Sequence, residues 1–117
     1  MEYALLIYSN EADAAKMSPA EGQKLFQGYM EFTNWLQESG KMKGGQPLER
    51  VANATTVKVR NGKTSTLDGP FAETKEQLGG FYLVDAKDLD DAIAIAAKIP
   101  GAAHGCVEVR PIRKMNM

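Results

Sequence analysis

Cysteine, histidine and tryptophan are scarce in this 117-residue sequence, which contains one of each. The single cysteine, Cys106, excludes an internal disulfide and fits a reducing compartment. One histidine and one cysteine provide no HExxH motif and no Cys/His pair at ligand spacing, so we expect no metal site. Gly44-Gly45 and Gly79-Gly80 belong to no GxGxxG or GxxxxGK[ST] pattern, and we expect no cofactor.

An excess of charge of one sign is also missing. The sequence has 14 Lys and Arg against 15 Asp and Glu, a net charge of -1. Such a balance creates no field that attracts nucleic acid or an anionic membrane. No segment approaches the ~20 apolar residues of a membrane span, and the first residues lack the pattern of a signal peptide. We therefore expect a cytoplasmic protein that binds neither nucleic acid nor a membrane.

What is present is typical of a globular domain. Hydrophobic residues make up 44% of the chain and charged residues 25%. The length suits one domain spanning residues 1–117. At this size a chain can bury roughly two-thirds of the surface it exposes when unfolded, without a disulfide or metal.

Two amphipathic helices are predicted. Ser18-Pro19-Ala20-Glu21 is a capping box that begins the first, and Gly40 ends it. Asp88 caps the second, which Pro100-Gly101 ends. We expect the first helix to bury one stripe: Leu25, Phe26, Tyr29, Phe32, Thr33 and Leu36. The stripe expected on the second is Leu89, Ala92, Ile93, Ala96 and Ile99. Bulky groups off the first stripe, at Met30 and Trp35, are available to a partner subunit.

Strands surround these helices. Residues 3–8 are apolar on both alternating sets, which favours an interior strand covered on both faces. Residues 41–50 form an extended segment or an edge strand. Asn61-Gly62 predicts a hairpin that pairs Val59 with Thr64 and Val57 with Thr66. Further strands are predicted over residues 79–84 and 106–112.

Without the extra hairpin, the order of elements is β-α-β-β-α-β, the ferredoxin-like split pattern of an α+β fold. Two helices cover one face of an antiparallel sheet and leave the other face open. Because an uncovered apolar sheet face normally dimerises, we expect a homodimer through it.

One segment carries a family resemblance. Residues 67–81, LDGPFAETKEQLGGF, are similar to the signature of the DGPF family of the YCII-related group. Other landmarks follow in the family's order, among them Leu5-Leu6-Ile7-Tyr8, residues 22–32, Ala54-Thr55-Thr56-Val57 and residues 107–112. The resemblance covers nearly the whole chain, and it implies a dimeric α+β barrel.

The resemblance implies little about activity, because the family is poorly characterised. Its members are mostly bacterial, and many are encoded beside extracytoplasmic-function sigma factors. Some relatives carry a His-Asp pair proposed to be catalytic. This sequence departs there, because its one histidine is His104 and the first helix offers Glu21, Gln23 and Lys24 instead.

Candidate site residues cluster around the signature. Asp68 is the leading acid/base candidate, although an Asp before Gly-Pro can equally fix a turn. Glu73 and Glu76 are the next acid/base candidates after Asp68. Lys75, which lies between them, either contacts an anionic group of a ligand or neutralises the two glutamates.

Two further candidates lie on predicted strands. Arg110 points to the same strand face as Glu108, where it can form a cross-strand or intersubunit ion pair or anchor a carboxylate ligand. Tyr8 can line a pocket or serve as a core tyrosine.

These residues support two functional hypotheses. The first is a small-molecule site, with or without catalysis, in the cleft between sheet and helix of each subunit. The second is a non-enzymatic accessory protein in a sigma-factor circuit. The first predicts that Asp68 reaches an enclosed polar pocket, whereas the second predicts an exposed apolar patch outside the dimer interface.

Overall fold

The fold is α+β and ferredoxin-like, and the computed structural model describes residues 1–115. The last two residues of the predicted domain lie outside this range. In chain order, the helices and strands of residues 1–115 are β1 (Glu2–Ser9), α1 (Glu11–Ala14), α2 (Pro19–Glu38), β2 (Met42–Pro47), β3 (Thr55–Arg60), β4 (Lys63–Asp68), β5 (Gln77–Asp85), α3 (Leu89–Ala96) and β6 (Cys106–Pro111). Among the described residues, no helix is long and apolar enough to cross a membrane.

Four of the strands form one antiparallel sheet in the order β2-β5-β1-β6. Residues 41–50 supply the edge strand β2, one of the two predicted alternatives. β5 begins at Gln77, two residues before the predicted start, because Ser9 pairs with Gln77 beyond a register shift in β1. The sheet therefore extends to the end of the signature loop.

Helix α2 begins as its capping box predicts. The Ser18 hydroxyl accepts from the Glu21 amide at 3.2 Å, and the Glu21 carboxylate accepts from the Ser18 amide at 3.2 Å. Helix α3 begins at Asp88, whose side chain accepts from the Asp91 amide at 2.9 Å. These caps fix where each helix starts.

The core lies between the two helices and one face of the sheet. Tyr3, Leu5 and Ile7 point into it from β1, and Val84 joins them from β5. The prediction that β1 is covered on both faces is wrong for a single chain. Its other set, which includes Leu6 and Tyr8, is only half-buried because both helices lie on the opposite side.

The structure also corrects part of the buried face that the sequence predicts for each helix. Phe26 is exposed, since α2 turns Phe32 and Leu36 toward the sheet. Trp35 does not stand free for a partner, because it packs beside the core with its ring 5.9 Å from that of Phe32.

The buried face predicted for helix α3 is wrong at more positions than that of α2. Leu89 and Ile93 are exposed, and Ile95 is buried instead. The actual buried face follows i, i+3, i+4 and i+7 spacing: Ala92, Ile95, Ala96 and Ile99.

The hairpin β3–β4 forms a separate two-stranded sheet. Its register matches the predicted one, with Val57 opposite Thr66 and Val59 opposite Thr64. Asn61 and Gly62 both have positive φ, as a two-residue hairpin turn requires.

Candidate functional site

A cleft of about 300 Å³ opens between the C-terminal end of β1, helix α1 and the first half of α2. This volume is at the lower end of the range for small-molecule pockets. Polar and titratable side chains from several elements line it: Ser9, Asn10, Asp13, Lys16, Glu21, Tyr29 and His104. The cleft lies between sheet and helix, where the first functional hypothesis placed a site.

Glu21 reaches the cleft from the first turn of α2. Hydrogen bonds from the Ser18 backbone, and then from the Ser18 side chain, lower the pKa of its carboxyl below the usual 4.5. The charge of His104 lowers this pKa further. Glu21 is therefore ionised at neutral pH and suited to hold a cation, whereas its lowered pKa makes it a weak proton acceptor.

His104 faces the same cleft from the segment before β6. A 3₁₀ turn over Pro100–Ala103 carries it there, and its amide donates to the Gly101 carbonyl at 3.1 Å. Helix α2 and this turn thus place the two side chains on the same cleft. Carboxylate and imidazole groups are the commonest general acids and bases.

Tyr29 and Gly101 form the floor of the cleft. A side chain at Gly101 would collide with the Tyr29 hydroxyl and approach Ile7 Cγ2 to 3.2 Å. Burial raises the pKa of Tyr29, while the Gly101 backbone opposes part of this rise. The phenol is therefore a neutral hydrogen-bonding group in the cleft.

Helix α1 supplies the rim. Its N-cap Asn10 accepts from the Asp13 amide at 3.0 Å through its side chain, and Asn10 also donates to the Lys75 carbonyl at 3.2 Å. Asp13 adds a second carboxylate to that of Glu21, and Lys16 adds an ammonium. The cleft can thus receive a small polar molecule with a cationic group.

Some of the predicted site residues meet elsewhere, on the open face of the sheet. The Tyr8 hydroxyl donates to Glu108 at 3.3 Å, and Arg110 forms an ion pair with the same carboxylate. Arg110 is thus paired with Glu108 of its own strand, whereas the sequence favoured a cross-strand or intersubunit ion pair. The hydrogen bond to Arg110 lowers the pKa of Glu108.

Glu76 lies near this cluster, with its Oε1 3.9 Å from the Cys106 thiol. Desolvation and the charge of Glu76 raise the pKa of Cys106. An activated thiol requires the opposite shift. Cys106 is therefore not a prepared nucleophile.

Asp68 and Glu73 are not among the residues that line the cleft, and Lys75 meets its rim through the carbonyl that accepts from Asn10. Asp68 is exposed at the end of β4, where its backbone pairs with Thr55. The following turn is held at Gly69, whose amide donates to the Ala54 carbonyl at 2.7 Å. Glu73 and Lys75 are exposed on the loop between β4 and β5.

A second cavity is a groove of about 370 Å³ between α2 and the segment after α3. Lys98 lies over the Trp35 ring at 5.0 Å and so occupies the aromatic surface. Glu31 is the one carboxylate among its lining residues. The groove therefore offers less acid–base chemistry than the cleft.

Sequence reasoning passed over Glu21 and His104 as a pair. The sequence presents Glu21 as part of a capping box and His104 as a single histidine without a metal-binding motif. The two are 83 residues apart along the chain and meet only through the fold. Within residues 1–115, no group of three or more His, Cys, Asp or Glu is arranged to hold a metal ion.

Comparison with known proteins gives one family and one curated relative. The family described as YCII-related domain matches residues 1–116. An uncharacterized protein of Rhizobium meliloti (strain 1021) is 37% identical over 114 residues, which cover 96% of this chain and 92% of that protein.

Proposed function

This chain belongs to the YCII-related domain family, and we propose that it binds a small polar molecule with a cationic group in the cleft between β1 and α2. The observation that carries the proposal is the convergence of Glu21, Tyr29 and His104 on one cavity of about 300 Å³. Helix α2 supplies Glu21 and Tyr29, and the turn before β6 supplies His104. Glu21 and His104 are exposed at the cleft, whereas Tyr29 is half-buried.

In this proposal Glu21 holds the cationic group of the ligand. It is ionised at neutral pH because the Ser18 hydrogen bonds lower its pKa. Tyr29 donates or accepts a hydrogen bond at the floor, and His104 offers a second polar contact to the bound molecule. Asp68, the leading acid/base candidate from the sequence, is exposed at the end of β4 and is not among the residues that line this cleft, so the proposed site does not use it.

We further propose that the chain is a homodimer through the open face of its sheet. That face presents Leu6, Phe81 and Leu83, which are half-buried in one chain. Among residues 1–115, both long helices pack on the opposite side. Packing two such sheets would enclose the Tyr8–Glu108–Arg110 cluster, whose carboxylate is already neutralised by the arginine.

The chain offers a separate reporter for each cavity. It has one histidine, which lines the cleft, and one tryptophan, which lines the groove. The protein is titrated with three sets of small molecules. These are free amino acids, the amines that result from their decarboxylation, and the N-acetylated forms of those amines. Proton NMR follows the imidazole, and fluorescence follows the indole.

We expect amines to shift the imidazole resonances and to leave tryptophan emission unchanged. Their N-acetylated counterparts lack the positive charge and should have no effect on either signal. Signals from the tryptophan alone, or equal binding of amines and acetylated amines, would overturn the proposed site.

A further inference from the structure

The hairpin β3–β4 is poorly covered by its own chain. All six residues of β4 and five of the six in β3 are exposed. Neither strand makes an extensive contact with the four-stranded sheet or with a helix within residues 1–115. Because an isolated two-stranded hairpin is marginally stable in water, this ribbon needs a surface to pack on.

The two faces of the hairpin differ in chemistry. Val57 and Val59 lie on one face opposite threonines, and they are 59% and 55% exposed. Lys58 lies on the other face, together with the Arg60–Lys63 pair and with Leu67 at the far end. This alternation is the pattern of a strand pair with one face packed and one face in water.

Phe71 continues the apolar surface just after the hairpin. At 83% exposure, it is the most exposed large apolar side chain of residues 1–115. It belongs to the family-like signature, three residues beyond Asp68. A single exposed phenylalanine is common, but here it follows an exposed valine face on the same segment.

The overall dimensions agree with a projecting segment. The radius of gyration is 16.3 Å, whereas a compact chain of this length has about 13 Å. The molecule is also thin, with extents of 47 × 46 × 19 Å. The chain thus spreads sideways instead of closing on itself.

We propose that residues 55–71 form an arm whose valine face and Phe71 pack against a second copy of this chain. The inference rests on the homodimer proposed above and adds a segment to its interface. One chain carries two incompletely covered apolar surfaces, the arm and the open face of the sheet. A two-fold axis lets each copy provide both surfaces to the other.

The charges of the arm favour the same occupant. When Val57 and Val59 are covered, Lys58 and Arg60 remain on the water side. A nucleic acid or another acidic partner would instead be expected to contact the cationic face. The packed face requires an apolar surface, which the sheet of the second copy supplies.

The first test measures dimer dissociation by analytical ultracentrifugation. The variant Val57→Ser/Val59→Ser is compared with the matched control Lys58→Ser/Lys63→Ser, which alters the opposite face. We expect the valine variant to raise the dimer dissociation constant about 100-fold or more, since four valine side chains leave the interface. The lysine variant should change it less than about threefold, as is usual for exposed charges.

The outcomes separate this inference from the dimer itself. A monomeric wild type would overturn the dimer and the arm together. A dimeric wild type with equal constants in both variants would overturn the arm and leave the dimer intact. Circular dichroism of each variant shows whether it is folded before its constant is used.

A second test does not depend on weakening the dimer. In a Cys106→Ser background, Val59→Cys and Arg60→Cys are labelled with a maleimide across a range of protein concentrations. We expect labelling at position 59 to slow about tenfold or more as the dimer forms, and labelling at position 60 to change less than twofold. Equal rates at both positions in the dimer would contradict the packed valine face.

Discussion

Tyr29 packs directly against Gly101, and this contact forms the floor of the cleft. A methyl group at residue 101 would overlap the Tyr29 hydroxyl. We predict that Gly101→Ala lowers the free energy of unfolding by about 1–3 kcal/mol, the usual cost of overpacking. Urea unfolding measures the loss, and Tyr29→Phe in the same chain should recover part of it because the overlapping oxygen is removed.

Gly22→Ala is the matched control for that substitution. Gly22 lies in α2 with no atom within 4 Å of an added Cβ. Alanine there should stabilise the protein by about 0.5–1 kcal/mol, since glycine is unfavourable in a helix. A loss at residue 22 equal to the loss at residue 101 would contradict the contact with Tyr29.

Two isoleucines of α3 test which face of this helix is buried. Ile95 is 1% exposed and Ile93 is 48% exposed. We predict that Ile95→Ala costs about 2–5 kcal/mol of unfolding free energy, as for other buried isoleucines. Ile93→Ala should cost under about 1 kcal/mol because its side chain remains largely in water. Equal losses in urea unfolding would show that the helix is rotated.

Substitutions of Asp68 and Asp88 compare how much an exposed aspartate and a hydrogen-bonded one contribute to the free energy of unfolding. Asp88 accepts from the Asp91 amide at 2.9 Å as the N-cap of α3, and Asp88→Ala should cost about 1 kcal/mol. Asp68 is exposed, and the turn after it is held through Gly69. Asp68→Ala should therefore stay within about 0.5 kcal/mol of the wild type. A large fall in its thermal midpoint would assign the turn to the Asp68 carboxylate.

The pH dependence of stability tests the state of Glu21. Its pKa is lowered in the folded protein, so its ionised form adds stability above the usual 4.5. That contribution is lost as the pH falls through the lowered value. Glu21→Gln retains an oxygen that can accept from the Ser18 amide but carries no charge. We predict that wild type exceeds this variant in unfolding free energy at neutral pH and loses the excess as the pH falls below the usual 4.5 and through the lowered pKa.

A constant difference between the two proteins from about pH 7 to pH 3 would contradict the lowered pKa. The helical signal in circular dichroism at neutral pH shows that the variant keeps α2. A variant that has lost α2 would show that glutamine does not maintain the cap.

Much of the fold could be predicted because its signals are local. The capping box at Ser18 fixed the start of α2, and Asn61-Gly62 fixed the hairpin register. It was harder to predict which face of each helix packs against the sheet. Leu89, Phe26 and Ile93 are apolar but exposed, because a stripe read from hydrophobicity alone does not say which of its neighbours the sheet reaches.

The cleft could be predicted only in its general position. Glu21 and His104 lie far apart in the sequence, and their common cavity depends on where the turn before β6 passes α2. Asp68 belongs to the most recognisable motif, yet the hairpin carries it to an exposed strand end. A motif marks a family more reliably than it locates a cavity.

The most direct test of the account is the affinity of the amine that shifts the His104 resonances most strongly. Its dissociation constant is measured at neutral pH for wild type, Glu21→Gln and Glu31→Gln. Glu31 is a control on the same helix that lines the groove instead. We predict a loss of roughly 10- to 100-fold for Glu21→Gln, the value of a charge-assisted hydrogen bond, and less than about twofold for Glu31→Gln. Unchanged affinity in Glu21→Gln, or an equal loss in both variants, would contradict a ligand site in the cleft.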